Sequence, residues 1–565
     1  VLIGLAGCAA TPQKPAQALP EKPAETAAQA PEQVPATPLS PELLYKLLIA
    51  EFAAQDGQLQ LSAQAYLKSA EESGDPRLAR RATQTAVYAR DAATALIAAR
   101  LWVKLDPEDI DARQSLAALL IRNGQNDEAM PHLKKIITFS PEGKRGHGYQ
   151  LVASLLARSE DPQQAMQQME QLTADKPHDP EALYAHAELA NQLGENEKAR
   201  VMLEELLRQQ PKRTEALILQ ARVLHSLGQE EEALKSLQRA LKQNPDNDQM
   251  RLTYARMLVD ARHLKEARRQ FRKLNKRLPE NSDVIYALGL LALEAGDIND
   301  AEPYFMDLVR LGEREEEARF ALGQIAQSRD RPQEAIDWYQ SVPRGDRYME
   351  AQLMAAKLIS EEEGIDQAID YLQQLPLNSS EERIQRYLAK AELLASQNRY
   401  DEAMVTYDEG LAVFSDNTDL LYARALTAEK FGHLDILEQD LKRIIELEPK
   451  NAQALNALGY TLADSTDRFE EAHQYIKRAL ELRPDDPAIL DSMGWSLYRL
   501  GRYDEAISYL RKALDQLDDA EIAAHLGETL WVSGHKSEAR DIWNKAKQSN
   551  PDDKVLQETI KRFNP

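Results

Sequence analysis

The chain has 565 residues, 43% of them hydrophobic, which is enough for a buried core and too apolar for a disordered chain. Its net charge of −23 leaves little global attraction for nucleic acid or anionic membrane. One cysteine and ten scattered histidines exclude a disulfide framework and a cysteine-rich zinc site.

Residues 1–8 read Val1-Leu2-Ile3-Gly4-Leu5-Ala6-Gly7-Cys8, an apolar run far too short to cross a bilayer. They read as the end of a secretory signal without its front. Leu5-Ala6-Gly7-Cys8 resembles a bacterial lipobox, which implies lipidation of Cys8 and a chain anchored on a membrane rather than threaded through one. By resemblance to lipoprotein sorting rules, Ala9 implies the outer membrane, with the body facing the periplasm. Residues 9–40 repeat proline among Ala, Gln, Glu and Thr. Such a stretch cannot bury a core and predicts a disordered or polyproline-like tether, reaching on the order of 100 Å when extended.

From Pro41 onward the apolar period is helical. Residues 41–107 carry helical patterning with a small residue at Ala95 and larger slots at Leu67 and Ala99; they read as divergent repeats or as a separate cap. Residues 108–551 form a repeat array. A small residue recurs at Ala129, Ala165, Ala199, Ala233, Ala267, Ala301, Ala335, Ala368, Ala403, Ala472, Ala506 and Ala539, with Leu437 in the same slot. The spacing is about 34 residues, and the segment Thr214 to Pro245 shows one unit: two amphipathic helices, a Gly228 turn and a closing proline. Leu-Gly pairs recur at Gly289, Gly323, Gly459 and Gly527, with Met493-Gly494 as a variant, and large residues at Phe271, Phe305, Tyr339, Tyr407 and Trp543. Small residues let the two helices approach and the large ones fill the space beside them. The stretch from Pro343 to Tyr348 and the Gly143–Gly148 run depart from the pattern and mark looser joints. Residues 552–565, with Val555, Leu556, Ile560 and Phe563, predict an amphipathic capping helix.

These features resemble the tetratricopeptide repeat (TPR). The resemblance implies an all-α superhelical solenoid of stacked antiparallel helix pairs, with the first helix of each pair lining an inner groove. On that mapping the protein-binding groove carries Tyr184, Arg222, His225, Arg256, Tyr286 and Phe320 in the middle of the chain. Near the C-terminus it carries Asn456, Tyr460, Asp491, Trp495, Tyr498 and Trp531. Tryptophan and tyrosine dominate binding hot spots; Trp495 and Trp531 are equally readable as packing between neighbouring helices. The Lys/Asn pattern that clamps a carboxylate in some family members is not evident. A basic cluster at Arg251, Arg256, Arg262, Lys265, Arg268, Arg269, Arg272, Lys273, Lys276 and Arg277 is a solvated face, or a docking patch for an acidic partner in which Arg268, Arg269, Arg272, Lys273, Lys276 and Arg277 lie together on a second helix.

No nucleophile elbow, phosphate loop or zinc motif stands in a proper context, and the repeats leave little room for a catalytic domain. The expectation is therefore no catalytic residue, no metal, no cofactor, no nucleic acid and no small-molecule substrate. The layout is similar to TPR outer-membrane lipoproteins of Gram-negative bacteria, within them the pseudomonad adaptors of periplasmic carboxyl-terminal processing proteases. That resemblance implies a non-catalytic adaptor that brings such a serine protease together with peptidoglycan hydrolases. The alternative is a scaffold for outer-membrane assembly or for exopolysaccharide or pilus export. A glycan-handling enzyme would need a catalytic pair deep in the groove.

Overall fold

The structure is a computed structural model that describes residues 40–139 and 146–563. Cys8, nearly all of the Pro-rich stretch and half of the Gly143–Gly148 run lie outside the described residues. The described residues contain thirty-one helices and no strand, from Pro41–Gln55 to Lys554–Phe563. They fall into two compact units, one ending at Gln270 and one beginning at Phe271.

Within each unit the helices come in successive pairs, A then B. The sequence sets where A helices begin. Asp109, Asp179, Asn281, Asn451, Asp486 and Asp519 each accept a hydrogen bond from a first-turn backbone N–H. Shortly upstream, Pro107, Pro177, Pro279, Pro449 and Pro484 prevent the preceding helix from running on. The turn from A to B uses a left-handed residue, such as Gly228 at φ 74° between Thr214–Ser226 and Glu230–Gln243.

Packing inside a pair follows the small-against-large rule. The recurring B-helix alanines, Ala129 through Ala539, are all buried, and so is Leu437. From the A side, a β-carbon added at Gly289 would meet the Phe305 ring at 2.8 Å, and one at Gly323 would meet the Tyr339 ring at 2.6 Å. Gly527 faces the Trp543 indole in the same way. A helices also touch across repeat boundaries within a unit, for example Ala452–Ser465 with Pro487–Arg499, and Pro487–Arg499 with Ala520–Val532.

Residues 41–107 hold four helices, Pro41–Gln55, Leu59–Ser73, Pro76–Tyr88 and Ala92–Leu105, each packed on the next. Ala95 and Ala99 are buried, whereas the large buried residue of the earlier pair is Tyr66 rather than its neighbour Leu67. A longer connection through Pro343 separates Pro332–Gln340 from Tyr348–Glu362. At the far end Lys554–Phe563 buries Leu556 and lays Phe563 on Trp543, with ring centres 5.8 Å apart.

Replacing Gly323 by alanine should lower stability by about 1–3 kcal/mol, because the added methyl would overlap the ring of the fully buried Tyr339. Urea denaturation of wild type and Gly323→Ala measures this; an unchanged midpoint would show that the Tyr339 ring yields freely.

Candidate protein-binding groove

In the second unit, A helices from Ser380–Ser396 to Ala520–Val532 line two recesses that share Leu426. The first, about 520 Å³, is walled by Leu388, Glu392, Asp419, Tyr422 and Gln453. The second, about 340 Å³, is walled by Glu429, Asn456, Tyr460, Asp491, Asp519, Glu521 and Ile522. The first unit has its own recess of about 580 Å³, where Val87, Tyr88 and Leu119 meet Arg122 and Arg158.

A polar and aromatic network underlies the second recess. His525 and Asp491 are both buried, with Nδ1 3.0 Å from the carboxylate oxygens. Burial opposes a charge on His525, but the carboxylates of Asp491, Glu521 and Asp464 together outweigh it and hold the histidine pKa above its ordinary value. Trp495 stacks on the His525 ring at 4.2 Å and on Tyr498 at 4.9 Å, and donates from Nε1 to Asp464 at 3.2 Å. The Tyr460 hydroxyl donates to Glu521 at 2.6 Å, and Tyr498 donates to Glu528 at 2.9 Å. Burial, joined by these carboxylates, pushes both phenols well above their ordinary pKa.

The residues expected in the groove have different fates. Asn456, Tyr460 and Asp491 line the second recess. Trp495 does not reach the surface: it is 6% exposed, because His525 of the next repeat covers its ring. Trp531 is turned toward the end of the chain, against Trp543 at 5.8 Å and Phe563 at 6.2 Å, with Lys536 and Arg540 over its ring. Tyr498 is half-buried beneath the same network.

The mid-chain aromatics are covered by arginines of the following repeat. Arg213 lies 4.9 Å over Tyr184 and pairs with Glu181 at 2.8 Å. Arg314 lies 4.9 Å over Tyr286 and pairs with Asp283, while Arg347 lies 4.6 Å over the buried Phe320. Arg222 and Arg256 are exposed, and His225 is half-buried with Nε2 3.9 Å from Asp260.

Of the basic cluster, Arg251 is buried, donating to Gln270 at 2.7 Å, and is not a surface charge. Arg268 is half-buried and Arg269, Arg272, Lys273, Lys276 and Arg277 are exposed on Leu264–Arg277, where Arg269 pairs with Glu266 and Arg272 with Asp300 at 2.6 Å.

His525, Glu521, Glu429 and the whole first recess were not anticipated from sequence. One signal was available: His525 occupies the helix position of Asp491 one repeat later, and Asn456 the same position one repeat earlier. Among the described residues no three His, Cys, Asp or Glu side chains are grouped as a metal site requires, and no helix is long and apolar enough to cross a membrane.

Comparison with known proteins gives matches along most of the chain. Residues 156–223 and 497–560 match one tetratricopeptide repeat family and residues 422–487 another, while residues 203–319 match the cytochrome c-type biogenesis protein H TPR domain. These are repeat families rather than catalytic ones. The TPR repeat-containing protein PA4667 of Pseudomonas aeruginosa is 35% identical over 491 residues, 86% of this chain and 82% of that protein. Among solved structures, the Cut9–Hcn1 hetero-tetramer of the APC/C aligns over 93% of this chain and 97% of its own at 16% identity and TM-score 0.32. A thermophilic TPR protein of Thermus thermophilus, TTC0263, aligns over 32% of this chain and all of its own at 24% identity and TM-score 0.29.

The buried His525–Asp491 pair makes stability depend on pH. A histidine whose pKa is raised by folding contributes stability that is complete below its unfolded value of about 6.5 and is lost as pH climbs through the folded value. The melting-temperature gap between wild type and His525→Gln should therefore be widest in mildly acidic buffer and narrow at alkaline pH. A gap that widens with pH would mean that His525 is neutral.

Proposed function

Because this chain belongs to the tetratricopeptide-repeat proteins, together with the Pseudomonas aeruginosa relative, we propose that it is a lipid-anchored, non-catalytic adaptor of the periplasmic face of the outer membrane. The repeat array itself is a scaffold for protein–protein interaction. The finer reading is that it gathers a carboxyl-terminal processing serine protease and peptidoglycan hydrolases, and so controls cell-wall turnover. Its support is the similarity of layout: a lipobox-like Leu5-Ala6-Gly7-Cys8, a Pro-rich stretch and a long array.

The observation that carries the scaffold reading is the pair of adjoining recesses along the A helices of the second unit, meeting at Leu426. An adaptor works by effective concentration. Two proteins held on one body meet at concentrations up to the millimolar range, as if tethered to each other, without new contacts between them. The recess of the first unit offers a second surface of different chemistry, with Arg122 and Arg158 beside Tyr88.

Affinity capture of the lipidated full-length protein from detergent-solubilised cells, followed by mass spectrometry, tests the reading. Recovery of a carboxyl-terminal processing protease with cell-wall hydrolases is the expected result. Recovery of an outer-membrane barrel or polysaccharide machinery without a protease would move the assignment to an assembly or export scaffold. Separately, Cys8→Ser should release the protein from the membrane fraction, and retention there would exclude Cys8 as the sole anchor.

A further inference from the structure

We propose that the A-helix groove of the second unit holds an extended segment of a partner protein that presents lysine or arginine side chains alternating with apolar ones. The inference deepens the scaffold reading and rests on it.

The two recesses contain six carboxylates, Glu392, Asp419, Glu429, Asp491, Asp519 and Glu521, and neither is lined by a lysine or arginine. What holds these acids is mostly uncharged. Glu521 accepts from the Tyr460 hydroxyl, Glu429 from Thr461, and Asp519 from backbone N–H groups at the start of its helix. His525 faces Asp491, its Nδ1 3.0 Å from the carboxylate.

The B helices of the same unit behave differently. Arg399 pairs with Glu402, Arg443 with Asp416 and Glu446, Arg468 with Glu438 and Glu471, Arg502 with Glu505, and Arg511 with Glu538. Acidic residues are common on both faces, and these B-side acids have an arginine partner of a kind that neither recess contains. Negative charge left uncancelled in a concave, partly apolar channel attracts cations and pays no self-repulsion once they are seated.

Three further features select an extended peptide over a small cation. The recesses are two and adjoin, so a ligand that fills both must be long. The Oδ1 atom of Asn456, in the wall of the second recess, is buried and has no hydrogen-bond partner. An extended backbone brings unpaired N–H groups that require such acceptors. Leu426 and Leu517, 40% and 47% exposed, stand beside the acids and fit the apolar side chains between the basic ones. In an extended chain, side chains on one face recur every ~7 Å, close to the spacing of neighbouring packed helices. The sign is opposite to that of a carboxylate clamp, so an acidic C-terminus is excluded as the ligand.

The test uses the full chain and a fluorescein-labelled peptide of about nine residues alternating lysine with leucine and serine, spanning ~30 Å when extended. Fluorescence anisotropy should show binding, and replacing its lysines by glutamate should abolish it. Glu429→Gln combined with Glu521→Gln should weaken binding about tenfold or more. Glu361→Gln combined with Glu362→Gln, the same charge change on exposed residues elsewhere in the unit, should leave it unaltered. Thermal melts monitor folding; should the first pair fail to fold, Glu392→Gln with Asp419→Asn, both exposed, carries the comparison. Equal weakening by the groove and control pairs would overturn the proposal in favour of net charge, and binding of the glutamate peptide would overturn it in favour of apolar contact. If the lysine peptide does not bind while affinity capture still returns partner proteins, the scaffold stands and this inference falls; if capture returns none either, the scaffold reading falls too.

Discussion

Everything else in this molecule depends on how closely two helices of a pair can approach. Gly289, Gly323, Gly459, Gly494 and Gly527 on the A side each stand where a β-carbon would collide with a large B-side residue, and the B-side alanines are fully buried. Close approach fixes the rotation of both helices about their axes. Once that rotation is fixed, the four-residue steps along each A helix decide which side chains face the next repeat and which line the recesses. The groove is thus a by-product of packing: its lining is whatever chemistry occupies the positions that the glycine contact leaves outward.

That division explains much of the electrostatics. On B helices, arginines reach glutamates and aspartates both within a turn and one repeat away, as Arg468 does with Glu471 and Glu438. Pairs this exposed contribute little stability each. Their consequence is that several acids of the B helices stand beside an arginine, whereas no lysine or arginine lines the two recesses.

The helix pairs were legible in the sequence because their signals are local. Pro449 followed by Asn451 ends one helix and caps the next, and Gly459 with Ala472 and Ile476 defines one close contact within a single repeat. The fate of groove residues was not legible, because it is set by residues a full repeat away. Trp495 is buried by His525, Tyr184 is covered by Arg213, and Trp531 is packed by Phe563 of the terminal helix. Arg251 likewise belongs to the interior through Gln270 rather than to the charged surface that its neighbours in sequence suggest. Single-repeat templates place a residue on a face but leave out the neighbour that covers it.

One A-helix position, followed through the second unit, shows what repetition makes possible. It is occupied in turn by Tyr286, Phe320, Met354, Leu388, Tyr422, Asn456, Asp491 and His525. The early members are aromatic or aliphatic, and arginines cover the first two. The last three are polar, and two of them form a buried ion pair. A buried pair of this kind seldom stabilises a fold more than apolar side chains of the same size would, so core packing alone does not account for it. It sits directly beneath the recess with the uncancelled carboxylates, where it holds Asp491 and the Trp495 ring in one arrangement through charge and stacking. A single backbone position therefore changes from apolar to polar along the unit while the helix packing stays constant. A ligand that reads such a gradient has to be linear, since only a chain lying along successive A helices meets these positions one after another.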